Sequence, residues 1–128
     1  MTAARQTLGR SAEALVASRL ARDGWQIVAR NVRVGDVRGE IDLIALDGVA
    51  LVFVEVKARR VGGAAGPETP AMAVGRRKRA KLRGLAAAWL RERGYDVPRH
   101  RDLRFDVIGL RVDASGRVTE YEHLRAAF

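Results

Sequence analysis

The feature that most constrains this chain is an apolar run, residues 51–57 (LVFVEVK), which ends in a glutamate and a lysine. No residue of the run is polar before Glu55, and this predicts a central strand that is covered on both faces. Side chains alternate along a strand, so Glu55 and Lys57 point to the same side of the sheet. Charges at the end of so apolar a strand are costly unless they are paired or bind a metal ion.

A second strand is predicted just before this run, over residues 40–45 (EIDLIA). Glu40 and Asp42 share one of its faces, because they are two residues apart. The dipeptide Asp47-Gly48 follows and is typical of a hairpin turn. The two strands are therefore expected to pair as an antiparallel hairpin.

The length of the hairpin loop decides whether Asp42 meets Glu55. A four-residue loop, 47–50, places Asp42 directly opposite Glu55. A two-residue loop places Asp42 opposite Phe53, one diagonal step from Glu55, and an odd loop sends the two carboxylates to opposite faces. We expect the four-residue loop.

The rest of the chain predicts helices able to cover both faces of one mixed sheet, in an α/β fold with the order α-β-β-β-α-β-β. With 128 residues, a single domain over 1–128 is expected. Residues 62–70 are rich in glycine, alanine and proline and predict a mobile loop. The predicted elements are a helix over 5–23, strands over 25–30, 40–45 and 51–57, a helix over 72–93, and strands over 103–112 and 118–124.

Both predicted helices are amphipathic. Glu13 lies at the margin of the first apolar face, half turned inward, and Trp25 and Trp89 occupy positions typical of a core. The first apolar face contains Leu8, Ala12, Leu15, Val16 and Leu20. The second contains Leu82, Leu85, Ala86, Trp89 and Leu90.

The chain has no cysteine, which excludes disulfides, thiolate zinc sites and a cysteine nucleophile. Any metal must be held by carboxylates, carbonyls, water, His100 or His123. His100 lies in a polar stretch and is expected to be solvated. No apolar run is long enough to span a bilayer, and the first residues lack the apolar core of a signal peptide, so a cytoplasmic protein is expected.

The formal net charge of +9 indicates a polyanionic partner such as nucleic acid. General solubility, or an arginine-rich proteome, would also explain this excess. Only three of the 24 basic residues are lysine, at positions 57, 78 and 81. A lysine in such a chain hints at a position where the wide guanidinium of arginine would not serve.

Basic residues cluster at the start of the second helix. Lys78 lies four residues before Leu82 on the apolar side, so it should point toward the sheet and contact a phosphate or the active site. Exposed arginines there would bind backbone phosphates in a salt-dependent way. A solvated face is the alternative, above all at Arg77 and Lys81. The cluster is Arg76, Arg77, Lys78, Arg79, Lys81 and Arg83.

Asp42 and Glu55 would supply hard oxygen ligands for Mg²⁺ or Mn²⁺, with the backbone carbonyl of Val56 as a third ligand. Lys57 would orient or deprotonate a water, or neutralise charge that develops at phosphorus. The alternative is an ordinary cross-strand salt bridge between Lys57 and one of the carboxylates. Asp106 is interpreted as a structural partner for an arginine.

Residues 39–44 (GEIDLI) and 53–57 (FVEVK) resemble the YraN-like uncharacterised bacterial proteins, also designated UPF0102. The likeness extends across nearly the whole chain. Further matching residues are Glu13, Arg30, Asn31, Val74, Lys78, Arg104, Phe105 and Asp106.

This resemblance implies a restriction-endonuclease-like fold, akin to that of archaeal Holliday-junction resolvases. Asp42, Glu55 and Lys57 match the two acids and the lysine of the PD-(D/E)xK pattern. Glu13 matches a glutamate of the first helix that joins the metal cluster in such enzymes. The implied activity is that of a metal-dependent endonuclease acting on DNA rather than RNA, with branched DNA as the substrate by analogy. Action on two strands would imply a homodimer.

Two other functions stay open. A non-catalytic nucleic-acid-binding module would keep the fold and the basic helix, and a structural or partner-binding protein would leave the convergent carboxylates unexplained. In a nuclease, Asp42→Asn should abolish cleavage and preserve binding. In a binding module, Arg76 and Arg77 should matter and Asp42 should not.

Overall fold

The structure of the protein is a computed structural model that describes residues 3–62, 71 and 74–128. Its elements follow the predicted order, α-β-β-β-α-β-β. They are α1 (Ala3–Arg22), β1 (Gln26–Val34), β2 (Val37–Asp47), β3 (Ala50–Arg60), α2 (Arg76–Arg93), β4 (Asp102–Val112) and β5 (Val118–Leu124).

The strands form one mixed sheet in the order β1-β2-β3-β4-β5. Neighbouring strands are antiparallel except β3 and β4, which are parallel and are joined through α2. A parallel pair needs such a crossover, because its strands run in the same direction. The predicted α/β fold is confirmed, and β3 is the central strand, as its continuous apolar run indicates.

The two described helices cover opposite faces of the sheet. α1 packs on the face formed by residues such as Leu43, Val52 and Val54, and Trp25 is buried with them. α2 packs on the other face, where Phe53 and Trp89 meet edge to face. Along β3 the buried residues alternate between these two cores, with Val52 and Val54 in one and Leu51 and Phe53 in the other, and this is why β3 is apolar throughout its first half.

The buried face of α1 is rotated from the predicted one. Ala12, Val16 and Leu20 are buried as predicted. Leu15 is 38% exposed, however, whereas Glu13 is only 8% exposed. The prediction for Leu15 is wrong because the helix turns its Glu13 side, rather than its Leu15 side, toward the sheet. The rotation brings a carboxylate of α1 against Asp42, in the middle of β2.

Most element boundaries differ from the prediction by a few residues: β2 and β3 extend beyond 40–45 and 51–57 at both ends. Two of the differences have a clear physical cause. β1 continues to Val34, through residues predicted as a polar connection, because Asn31 adopts a positive φ of 52° and the strand resumes pairing with β2 after register shifts. α2 begins at Arg76 rather than at residue 72, since Gly75 at its N-cap is extended. The predicted loop over 62–70 lies outside the described residues except for Gly62. No helix of the described chain is long and apolar enough to cross a membrane.

Candidate active site

The β2–β3 hairpin has the predicted register but a shorter turn. Asp47 and Ala50 pair with each other, so the turn contains only Gly48 and Val49. The predicted four-residue loop is therefore wrong in length. The two-residue turn at Gly48 and Val49, closed by the pair Asp47–Ala50, gives the same register as the expected four-residue loop over 47–50. The strand residues beyond the turn therefore keep their predicted partners.

The ladder between β2 and β3 ends one residue before the two acids. Its last pair is Leu43 and Val54, and the next step of this register places Asp42 opposite Glu55. At that step Oδ2 of Asp42 accepts a hydrogen bond of 2.9 Å from the backbone N–H of Val56. A carboxylate thus takes the place of a main-chain acceptor, which holds Asp42 between the two strands.

Glu55 lies on the α2 side of β3 and is 6% exposed. Nζ of Lys78, in the first turn of α2, lies 3.5 Å from its Oε1. Its other oxygen, Oε2, is buried and has no hydrogen-bond partner in the structure. The structure thus brings Lys78 to the sheet, as its place on the helix indicates. One carboxylate oxygen of Glu55 stays buried without a hydrogen-bond partner among the described residues.

Glu13 approaches Asp42 from α1, on the opposite face of the sheet. The two carboxyl groups interact, and the charge of Asp42 contributes to raising the pKa of Glu13. Nη1 of Arg10, one helical turn before, lies 3.4 Å from Oε2 of Glu13. Asp42 therefore interacts with a carboxylate of α1 and with the positive charge of Lys78 in α2.

The pKa values of all three acids are raised. Burial raises the pKa of Glu13 to about 7, and the charge of Asp42 adds to the effect. Burial and Asp42 likewise raise the pKa of Glu55 to about 7, against the opposing charges of Lys78 and Lys57. Burial raises the pKa of Asp42 despite the hydrogen bond from Val56. Burial is the largest cause in all three cases, because it disfavours the charged form of a carboxyl group.

The donor atoms at this place fit a hard divalent cation. Asp42 and Glu55 supply carboxylate oxygens, and the buried Oε2 of Glu55 lacks a partner. In the described part of the chain, no three Asp, Glu or His side chains gather closely enough to hold an ion by side chains alone. The backbone carbonyl of Val56, which lies between Glu55 and Lys57 in the chain, would add a main-chain oxygen ligand to these carboxylates.

Lys57 is half-buried on β3, two residues beyond Glu55. Its positive charge acts on the Glu55 carboxylate and favours the ionised form. Lys57 and Glu55 lie on the same side of the strand, whereas the side chain of Val56 packs into the core under α1. The acid and the lysine of the E-x-K triplet are thus neighbours on the α2 face.

The basic residues at the start of α2 differ in their surroundings. Arg76 and Arg77 are exposed. Arg79 donates from Nε to the carbonyl of Val74 at 3.0 Å, and its guanidinium lies 5.6 Å from the ring centroid of Phe128. Arg79 therefore also holds the beginning of α2 against the C-terminal residues.

Lys81 is exposed, as predicted, but the aliphatic part of its side chain packs against Gly39. A Cβ placed on Gly39 would lie 2.8 Å from Cε of Lys81. The stem therefore crosses the backbone of Gly39, three residues before Asp42, and the ammonium group lies on the α2 side of the candidate site.

Glu40 is a site residue to which the sequence pattern gives no role beyond sharing a face with Asp42. Its carboxylate forms ion pairs with two arginines: Oε1 lies 3.3 Å from Nη1 of Arg10, and Oε2 lies 3.2 Å from Nη2 of Arg33. One signal in the sequence does point to Arg10: it precedes Glu13 by three residues and so lies on the same side of α1. Arg33 has no such signal, because its place depends on the register of β1.

The two histidines form hydrogen bonds away from the candidate site. Nε2 of His123 donates to Asp106 at 2.8 Å, and Arg104 donates to the same carboxylate from Nε at 2.9 Å. The interpretation of Asp106 as a structural partner for an arginine matches this geometry. His100 is half-buried rather than solvated, and its Nδ1 lies 2.8 Å from the carbonyl oxygen of Pro98.

Comparison with known proteins finds relatives that match this chain along nearly its whole length. The model of the uncharacterised protein family UPF0102 matches residues 12–110. A UPF0102 protein of Chlorobium chlorochromatii is 44% identical over 125 residues, which cover 94% of this chain and 90% of that protein. A UPF0102 protein of Moorella thermoacetica is 39% identical over 128 residues and is matched over 100% of both chains. The resemblance indicated by the GEIDLI and FVEVK segments is confirmed: this chain belongs to the UPF0102 family.

Proposed function

We propose that the chain is a metal-dependent endonuclease of the PD-(D/E)xK type, which hydrolyses phosphodiester bonds in DNA. The observation that carries the proposal is the place of Asp42 at the end of the β2–β3 ladder, beside a buried Glu55 whose Oε2 has no hydrogen-bond partner among the described residues. Buried charges without partners are costly for a fold. A catalytic role explains why the chain keeps them at this point.

The residues that would hold Mg²⁺ or Mn²⁺ are Asp42, Glu55 and the carbonyl of Val56, and Glu13 of α1 would have to move closer to the other two carboxylates to join them as a ligand. When bound, such an ion polarises a phosphate oxygen and lowers the pKa of a coordinated water. The hydrogen bond from Val56 to Asp42 fixes the carboxylate of Asp42 relative to β3. The two acids on β2 and β3 are therefore positioned by the main chain.

Lys57 is the proposed catalytic base or charge stabiliser. Its side chain lies on the face of Glu55. As the ammonium it would orient a water or donate a hydrogen bond to the phosphate during displacement, and as the neutral amine it would accept the proton of that water. Lys78 pairs with Glu55 at 3.5 Å and is 47% exposed, so it would contact both the carboxylate and an incoming phosphate. Arg76, Arg77 and Arg79 would extend phosphate binding along the start of α2.

The substrate class follows from charge and from the family resemblance. A net charge of +9 favours a polyanion, and the exposed arginines of α2 lie on the same side of the sheet as Lys57 and Glu55. We propose DNA rather than RNA, with branched DNA as the preferred geometry and a homodimer as the form that cuts two strands.

The direct test is cleavage of end-labelled single-stranded, duplex and four-way-junction DNA by purified protein with Mg²⁺ or Mn²⁺. Asp42→Asn should remove cleavage, whereas Asp36→Asn, in the exposed turn between β1 and β2, should leave it unchanged. Binding without cleavage in all three proteins would favour the non-catalytic nucleic-acid-binding module instead.

A further inference from the structure

Glu40 gathers two arginines from different elements beside the candidate active site. Arg10 of α1 approaches with both terminal nitrogens, Nη1 to Oε1 at 3.3 Å and Nη2 to Oε2 at 3.5 Å. Arg33 of β1 places Nη2 at 3.2 Å from Oε2. Glu40 is two residues before Asp42, so this cluster lies at the edge of the proposed catalytic centre.

Both guanidinium groups remain open to solvent. The side chain of Arg10 is 55% exposed and that of Arg33 is 77% exposed. Each guanidinium carries five N–H donors, more than its contacts with Glu40 require. Exposed ion pairs contribute little to fold stability, so stability alone does not explain why two arginines meet at one carboxylate.

Two guanidinium groups meet one organising carboxylate in this cluster. Arg10 and Arg33 both contact Glu40, and Arg10 also lies 3.4 Å from Glu13. Because each guanidinium is exposed and has donors beyond those that Glu40 engages, a phosphate oxygen can reach both of them.

We propose that Arg10 and Arg33, organised by Glu40, form a phosphate-binding site for the nucleic-acid backbone on the α1 side of the candidate active site. The proposal rests on the proposed function and extends it. The planar guanidinium fork suits bidentate binding of phosphate. Lys78 and Lys81 lie on the α2 side, so a strand crossing residues 39–42 would meet cations on both sides of the cleavage point.

The test is the binding of fluorescently labelled duplex DNA, measured by anisotropy across a range of salt concentrations, in the Asp42→Asn background. Adding Arg10→Gln and Arg33→Gln should weaken binding severalfold at low salt. It should also reduce the slope of log affinity against log salt by about 2, since each phosphate contact contributes roughly 0.9 to that slope.

The matched control adds Arg22→Gln and Arg101→Gln, which remove the same charge from exposed residues. Arg22 lies at the other end of α1, roughly 18 Å from Arg10 at 1.5 Å per residue. Arg101 lies beside the β2–β3 turn, where its N–H bonds to Val49. The control pair should change the slope much less than the Arg10 and Arg33 pair, and an equal change would overturn the proposed site.

The variant Glu40→Gln distinguishes the positioning of the two arginines by Glu40 from the effect of net charge on DNA binding. It keeps both arginines and makes the protein more positive, so simple attraction would tighten DNA binding. If Glu40 positions the two guanidinium groups, this variant should weaken binding instead, and tighter binding would contradict its role. Failure of the unaltered protein to bind DNA at any salt concentration would reject the proposed function itself. Binding and cleavage that do not depend on Arg10 and Arg33 would reject only this inference.

Discussion

Oδ2 of Asp42 accepts a hydrogen bond of 2.9 Å from the backbone N–H of Val56, one step beyond the last paired residues of β2 and β3. This contact ties an acid of one strand to the main chain of the next, immediately beside Glu55. Because the contact uses a backbone donor, the separation of the two acids is set by the hairpin register. The arrangement of the candidate site is therefore a property of the sheet itself.

Substitutions of Asp42 should separate this structural contact from the charge. Asp42→Asn keeps an oxygen that can accept from Val56, so its free energy of unfolding should stay close to that of the unaltered protein. Asp42→Ala leaves the N–H of Val56 without that acceptor and should cost about 1 to 3 kcal/mol. Urea unfolding measures both variants. Equal stability of the two would show that the hydrogen bond is not needed to hold β2 against β3.

Glu55→Gln should stabilise the metal-free protein while it removes activity. The pKa of Glu55 is raised to about 7 by burial and by Asp42, so its ionised form destabilises the fold at pH 8. Removing that charge should raise the free energy of unfolding by on the order of 1 to 3 kcal/mol. Glu92→Gln, on the exposed side of α2, is the control and should change little. A loss of stability in Glu55→Gln would mean that the pair with Lys78 outweighs the cost of burial.

Gly39→Ala should affect both the backbone and Lys81. Gly39 has a φ of 108°, and its added Cβ would meet Cε of Lys81 at 2.8 Å. Gly116 has a φ of 88° but open space around it, so Gly116→Ala reports the backbone strain alone. Both variants should lose about 1 to 3 kcal/mol in chemical unfolding. Only Gly39→Ala should also weaken DNA binding, since it displaces the side chain of Lys81, and Lys81→Ala should weaken binding in the same way.

The stability of the protein should fall in acid through Asp106. Burial pushes the pKa of Asp106 up, but hydrogen bonds from His123, Arg104 and the N–H of Ala126 outweigh it, and the pKa lies below its ordinary value. A lowered pKa in the folded state stabilises the fold above the unfolded-state pKa, about 3.9, and this contribution is lost as the pH falls through the folded-state value.

Asp106→Asn measures this contribution. The variant should lose about 3 kcal/mol at pH 7, because it leaves Arg104 and His123 without their charged partner. The difference between the two proteins should shrink as the pH falls below about 4. Urea unfolding from pH 7 to pH 3 gives the difference directly, and titration of groups common to both proteins cancels from it. A difference that is constant with pH would contradict the role of the Asp106 charge.

The sequence predicts β2 and β3 of the candidate site well because two local rules act together there. Alternation along β3 places Glu55 and Lys57 on one face. The turn at Gly48 and Val49, which Asp47-Gly48 indicates in the sequence, sets the register that brings Asp42 to Glu55. The inward direction of Lys78 follows from helical spacing in the same way. These residues depend on periodicity within one element or on a single short turn.

The residues around this centre depend on relations that a sequence pattern does not contain. The rotation of α1, which buries Glu13 and exposes Leu15, is decided by packing against the sheet rather than by the apolar pattern alone. Arg33 reaches Glu40 because β1 continues past Asn31 with register shifts against β2. Such shifts change which side chains meet without altering the apparent pattern.

The most direct measurement of the central claim is calorimetric titration of the purified protein with Mn²⁺ at pH 8, where Glu13 and Glu55, each with a pKa of about 7, are mostly ionised. The account predicts saturable binding that is lost or strongly weakened in Asp42→Asn and in Glu55→Gln, and that is retained in Asp36→Asn. Absence of binding, or equal binding in all four proteins, would contradict the claim that Asp42 and Glu55 form a cation site.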